Sequence, residues 1–120
     1  MSTTYDENTI NEFVAENRDH LEEIEPDLLA MEQERREADP EIVNRVFRAI
    51  HSIKGSSGFF RFTAIKELSH VMESVLMRFR EGGLSPDSSG IDALLGGVDK
   101  LRIMFADVER SDLVAYRDEL

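Results

Sequence analysis

The sequence predicts an all-α fold: an up-and-down antiparallel helical bundle of four main helices plus a short C-terminal fifth. Three observations carry this. Apolar residues recur at steps of three and four almost throughout, without convincing strand alternation. Residues that start and stop helices fall between those stripes. The connections are short, which favours antiparallel neighbours.

The first stripe is Ile10, Phe13, Val14, Leu21, Ile24, Leu28 and Met31. Thr4-Tyr5-Asp6-Glu7 has the form of a capping box that would start it. Pro26 lies inside the stripe, where a missing N–H predicts a kink or a split. A polar stretch from Glu32 to Ala38 leads to Asp39-Pro40, an N-cap aspartate followed by proline at the first helical position. Ile42, Val43, Val46, Phe47, Ile50 and Ile53 mark the second helix, which is expected to weaken at Gly55-Ser56-Ser57-Gly58. Thr63 is the expected cap of a third helix carrying Ile65, Leu68, Met72, Val75, Leu76 and Phe79. Gly82-Gly83 ends that helix and Ser85-Pro86 starts the fourth. The fourth stripe is Ile91, Leu94, Val98, Leu101, Phe105 and Val108. Gly96-Gly97 should weaken it unless a neighbour packs closely there. Leu113 to Leu120 is read as the short fifth helix. No internal repeat or domain boundary interrupts the chain, so residues 1–120 are read as a single domain.

Composition narrows the function. The 120 residues include 14 Lys and Arg against 25 Asp and Glu, a net charge of −11. Such a chain repels nucleic-acid phosphates and anionic membranes. Hydrophobic residues make up 41%, enough for a folded core. Cysteine is absent, which excludes disulfides, thiolate catalysis and Cys-ligated zinc. There is no basic, apolar N-terminal leader and no apolar run long enough to span a bilayer, so a cytoplasmic location is expected.

The chemistry centres on His51. On a helical wheel it lies roughly 135° from the centre of the second helix's apolar arc, on the solvent side. Gly55 and Gly58, at i+4 and i+7, share its face, and Ser56 and Ser57 are small. The surface beside the imidazole is therefore expected to be bare enough for a large partner. Lys54 is one turn away. Neutral imidazole is a nucleophile at pH 7, an ammonium steadies transferring phosphoryl oxygens, and a carboxylate on one ring nitrogen frees the other. Phosphoryl transfer asks for little more than such positioning and charge.

The segment from Phe47 to Phe62, FRAIHSIKGSSGFFRF, closely resembles the phosphoacceptor helix of histidine phosphotransfer (Hpt) domains. Its His-Ser-Ile-Lys-Gly form is most similar to the N-terminal domain of CheA-type chemotaxis histidine kinases. The likeness continues through Ser69-His70-Val71-Met72-Glu73-Ser74-Val75-Leu76 on the third helix. The resemblance implies that His51 is phosphorylated, that Lys54 supports the phosphoryl group, and that Glu73 hydrogen-bonds the ring nitrogen that does not attack. It gives His70 a lesser role near the site. It places partner docking on the second and third helices, with Gly55 and Gly58 keeping the surface clear beside Ser56. It further implies a longer kinase of which this segment is the N-terminal part. The partners would be a kinase ATP-binding domain as donor and a response-regulator receiver aspartate as acceptor. ATP and magnesium would sit on those partners and the domain itself would need no cofactor. The segment carries no ATP-binding or kinase motif of its own.

At Arg61 this chain departs from the CheA-type pattern, which usually has a small residue there, often glycine. With Arg45, Arg48, Lys54 and Lys66 it makes the neighbourhood of His51 locally basic, and this patch is expected to orient the partner. Other readings stay open from the residues alone: a stand-alone relay protein shuttling phosphate between receivers, or an acidic helical adaptor. Glu67 and His70 have the Glu-x-x-His spacing of di-iron bundles, but that chemistry needs two such pairs facing inward.

Overall fold

The computed structural model describes residues 6–34, 39–81 and 88–113. Four helices follow one another: α1 (Glu7–Glu34), α2 (Pro40–Phe59), α3 (Thr63–Arg80) and α4 (Ser88–Ala106). A 3-10 helix, Val108–Leu113, follows α4. Each helix packs against the next, and α4 returns to α1, so the four enclose one core. The described residues contain no strand.

The apolar stripes face that core. Leu21, Ile24, Leu28 and Met31 of α1 are buried with Val43, Val46, Ile50 and Ile53 of α2. Ile65, Leu68, Met72, Leu76 and Phe79 come from α3, and Ile91, Leu94, Val98, Leu101, Met104 and Phe105 from α4. Ile10, Val14, Ile42, Phe47 and Val75 sit at its edge, half-buried.

Several local expectations change. Helix α1 runs unbroken through Pro26, which is exposed, so only one backbone bond is forfeited and tertiary packing carries the helix across. Its start is capped by Asp6, whose Oδ1 accepts from the Thr9 N–H at 2.8 Å; Thr4 lies outside the described residues. Helix α2 does not fade at Gly55 but continues to Phe59. Asp39 caps it as expected, accepting from Glu41 N–H at 2.9 Å. Thr63 does not cap α3. It is the first helical residue, and Asp112 Oδ1, from the 3-10 helix, accepts the Ala64 N–H at 2.8 Å. Gly82-Gly83, Ser85-Pro86 and residues 114–120 of the expected fifth helix lie outside the described residues. The glycine pair in α4 has the close neighbour it needs: a Cβ on Gly97 would stand 2.7 Å from Met72 Sδ.

The turn from α2 to α3 is short and fully bonded. Arg61 N–H donates to Gly58 C=O at 3.1 Å and Phe62 N–H to Ser57 C=O at 2.9 Å. These are the two bonds of a Schellman ending, with Arg61 at the position that takes left-handed backbone. Its φ is 66°, in the region that favours glycine. Phe60 and Phe62 then fold onto Phe13 of α1, with ring centroids at 4.7 Å and 5.5 Å, and Phe105 joins at 5.6 Å. This aromatic cluster closes one end of the bundle.

The turn sets the register of α2 against α3. Asn44 meets Arg80, His51 meets Glu73, and Gly58 lies against the Lys66 stem. The three pairs are seven residues apart on each helix, the repeat of an antiparallel coiled-coil seam.

Two outcomes follow. Asp112→Ala removes the cap supplied to α3 from outside its own helix and should lower unfolding free energy by about 0.5–2 kcal/mol. Asp112→Asn should retain most of it, and equal denaturant midpoints for Ala and wild type would show that the cap contributes nothing. Arg61→Gly relieves backbone strain of about 1–2 kcal/mol against roughly 0.5–1 kcal/mol of extra unfolded-state freedom. It should therefore raise the denaturant midpoint at unchanged slope, by a net several tenths to about 1 kcal/mol. A lowered midpoint would mean that the arginine side chain makes contacts that outweigh the strain.

Candidate phosphoacceptor site

The seam brings three of the expected residues together. His51 stands on the outer face of α2, its side chain 62% exposed. Glu73 of α3 is only 12% exposed. Its Oε2 lies 2.6 Å from His51 Nδ1, and its Oε1 accepts from Lys54 Nζ at 2.7 Å. One carboxylate thus ties a histidine and a lysine of α2 to α3.

The charge state decides what this arrangement does. Burial by itself pushes the Glu73 carboxyl up. The hydrogen bonds from Lys54 and His51, together with their charges, outweigh it and hold Glu73 below its ordinary value. Glu73 is therefore ionised at neutral pH and can only accept. The proton between it and the imidazole belongs on Nδ1. In the neutral ring this leaves the Nε2 lone pair unprotonated and directed away from Glu73.

The remaining expected residues are distributed around this cluster. Gly55 has open space where a side chain would project, so the face beside His51 is bare as expected. Gly58 is partly covered, since the Lys66 stem would lie 3.4 Å from a Cβ there. Ser56 turns toward α1: its hydroxyl donates to Ser52 C=O at 3.0 Å and receives the Asn17 Nδ2 donor at 3.3 Å. Ser57 is fully buried and forms no part of the surface. Arg48 and Lys66 are exposed on α2 and α3, whereas Arg61, exposed in the turn between them, lines a groove at the aromatic end of the bundle that His51 does not share, so the expected basic patch does not gather whole around the imidazole. Arg45 is turned back to α1 by two bonds to Asp27, at 2.7 and 2.8 Å. His70 is exposed one turn before Glu73, and its ring has no hydrogen bond among the described residues. Glu67 is exposed beside it, so the Glu-x-x-His pair faces outward.

Sequence reading missed Phe47, Arg80 and Asn17. The Phe47 ring lies nearly parallel to the His51 imidazole, and the Arg80 guanidinium sits 4.6 Å from the Phe47 centroid. The i−4 spacing of Phe47 from His51 was the available signal, but Phe47 also fits an apolar stripe. Asn17 is 2% exposed and braces Ser56 from α1. A groove lined by Ile10, Val14, Phe60, Phe62 and Phe105 opens at the closed end of the bundle, and none of His51, Lys54 or Glu73 lines it.

Charge is segregated. Seven of the 14 basic residues, but only five of the 25 acidic ones, lie between Asp39 and Glu81, the span of α2 and α3. The strongly acidic remainder is carried by the other helices and termini.

Comparison with known proteins is consistent with this geometry. The family model of the Hpt domain matches residues 9–110. The chemotaxis protein CheA of Rhizobium meliloti is 39% identical over 97 residues, 80% of this chain and 12% of that protein. CheA of Bacillus subtilis is 31% identical over 96 residues, 80% of this chain and 14% of that protein. The chain thus spans a small part of the length of these relatives. Among solved structures, the CheA phosphotransferase domain from Thermotoga maritima superposes with a TM-score of 0.79 at 28% identity. That match covers 85% of this chain and 95% of the other.

The lowered pKa of Glu73 has a pH signature. Its folded value lies below the reference of 4.5, so the cluster's contribution to stability is fully present above 4.5 and is lost as pH falls through the folded value. Glu73→Gln should lower unfolding free energy by about 1 kcal/mol at pH 7, given that the His51 end is exposed. The difference from wild type should shrink as pH falls from 5 toward 3. A difference that stays constant over that range would rule out the ionised, shared carboxylate.

Proposed function

Because the chain belongs to the Hpt domain family, we propose that it is the phosphotransfer domain of a chemotaxis-type histidine kinase, with His51 as phosphoacceptor. The supporting observation is the chain Lys54–Glu73–His51, in which a carboxylate contacts Nδ1 of an exposed imidazole and leaves the other ring nitrogen facing away from it. The similarity to CheA proteins favours this reading over a stand-alone relay protein.

In the forward step the Nε2 lone pair attacks the γ-phosphorus of ATP held by a separate kinase domain. The Nε2–P bond forms as the bond from that phosphorus to the bridging oxygen breaks, and ADP leaves with the electron pair. The proton stays on Nδ1, and the positive charge gained by the ring is set against the Glu73 carboxylate. Lys54 Nζ has donors to spare after Glu73 and belongs to the residue one turn from His51, so it would supply hydrogen bonds to the added oxygens. In the return step a carboxylate oxygen of a receiver aspartate attacks the phosphorus, the N–P bond breaks, and its electron pair returns to Nε2. ATP and magnesium belong to the partner proteins in this scheme, and the setting is the cytoplasm. Among the described residues no helix is long and apolar enough to cross a membrane.

Docking on the α2–α3 face follows from its shape and charge. Gly55 leaves His51 accessible, and the exposed Arg48 and Lys66, with Arg61 in the turn, give the α2–α3 hairpin positive charge that suits an acidic receiver pocket. Such rim charges act chiefly on encounter rate and salt dependence. His70 belongs to the same exposed face, with a secondary role.

The test is labelling by a CheA-type catalytic domain and γ-labelled ATP. Wild type should take up label that is stable in base and lost in acid, as a phosphoramidate linkage is. His51→Gln should keep its helical circular dichroism and take up less than about 1% of that label, as loss of the nucleophile requires. Undiminished label on His51→Gln would overturn the assignment.

A further inference from the structure

Glu73 holds the His51 ring at one atom. A carboxylate accepts hydrogen bonds over a broad range of directions, and the second side-chain torsion of histidine is itself broad. The bond to Nδ1 therefore leaves the plane of an exposed ring only loosely defined. In-line attack depends on that plane, because the Nε2 lone pair lies in it.

A second contact defines the plane. Phe47, one turn before His51 on α2, presents its ring at 9° to the imidazole with centroids 6.2 Å apart. This is the offset-parallel arrangement that aromatic pairs prefer. Phe47 is half-buried and packed against the core, so it is the fixed member of the pair. It is gripped in turn from α3. The Arg80 guanidinium carbon is 4.6 Å from its centroid, within cation–π range. Arg80 NH1 also donates to Asn44 Oδ1 at 3.4 Å, at the next contact along the heptad seam.

We propose that Phe47, held by Arg80, is a positioning residue of the phosphoacceptor site: it sets the plane of the His51 ring so that the Nε2 lone pair faces an incoming phosphorus. This rests on the reading of His51 as phosphoacceptor. Glu73 selects which nitrogen is free, and Phe47 selects the direction in which it points. The function requires a flat ring at position 47, since an aliphatic side chain of equal bulk fills the space without defining a plane.

The experiment compares two phosphoryl donors: a CheA-type catalytic domain with ATP, which must dock, and the small molecule phosphoramidate, which has no docking surface. Displacing a reacting group by 1 Å can slow a reaction on the order of 100-fold; a loosened ring should lose about tenfold, so Phe47→Leu should fall about tenfold with both donors. Phe47→Tyr should stay within about twofold of wild type, and Arg80→Met, which removes the cation but keeps the stem, should fall about threefold. The His51 ring-proton resonances should shift in Phe47→Leu, by loss of the ring current, and stay in place in Phe47→Tyr. Wild-type rates for Phe47→Leu with phosphoramidate would overturn the proposal, whether or not the kinase rate falls, because they would assign Phe47 to docking or packing. An equal loss in Phe47→Tyr would overturn it as well. If Phe47→Leu does not fold, Arg80→Met decides: unchanged phosphoramidate rate and unchanged His51 resonances would overturn the proposal. Labelled wild type with unaffected variants defeats only the positioning role, whereas wild type that takes no label at His51 from either donor defeats the phosphoacceptor reading itself.

Discussion

The Glu73 carboxylate is the interaction on which the site depends. It is largely buried at the α2–α3 seam yet ionised, which is costly unless each oxygen has a donor. Lys54 supplies one and His51 the other. In the proposed phosphoacceptor role of His51, the lysine therefore acts on the nucleophile before any phosphoryl group arrives. Without its charge, burial would be opposed by the His51 contact alone, and the carboxyl would hold a proton more readily than it does now. A protonated Glu73 could donate to Nδ1, and the ring proton would move to Nε2, where it blocks the lone pair. The ammonium keeps the carboxylate an acceptor, and the acceptor keeps the outer nitrogen free.

That contact exists only because α2 and α3 meet in one register. A slip of one residue rotates a helix face by about 100° and would carry Glu73 away from the imidazole. Three features oppose a slip. The turn is pinned by both Schellman bonds, the phenylalanines on either side of Arg61 are packed onto Phe13, and Asp112 holds the first turn of α3 from outside. The heptad spacing then repeats the alignment three times along the seam. The residues that set the chemistry and those that set the register are thus distant in sequence but mechanically continuous.

The parts legible in the sequence are those whose cause is local. The four apolar stripes, the Asp39-Pro40 start and the exposure of His51 each depend on residues within a turn or two. Pairing of His51, Lys54 and Glu73 came from resemblance, since nothing in residue spacing states the register of two helices. What stayed hidden was long-range or conformational. Ser56 and Ser57 looked like free surface because small polar residues carry no sign of the face they occupy; Asn17 waits behind one and the core encloses the other. Thr63 looked like a cap because the competing cap is 49 residues further on. Pro26 looked like a break because propensity omits the packing that carries a helix past one missing bond. Phe47 satisfied an apolar stripe and so concealed a second role at its edge.

The position of Arg61 joins these strands. The family pattern prefers a small residue there, and the φ of 66° supplies the physical reason. A strained residue persists where its surroundings over-determine the backbone, and here two hydrogen bonds and an aromatic cluster do so. The consequence is a cation carried on the turn at the end of α2, in a chain whose charge is otherwise strongly negative. His51 is exposed and unenclosed, so in the proposed role a partner would exclude water and stabilise the transferring group. On the proposed reading a donor and an acceptor then fit the same face in turn. The division of labour that results is physical. On the proposed reading, the ring's tautomer and plane are set inside the domain and are the same for every partner. On the proposed reading, the exposed charges of α2 and α3 are where partners can be told apart.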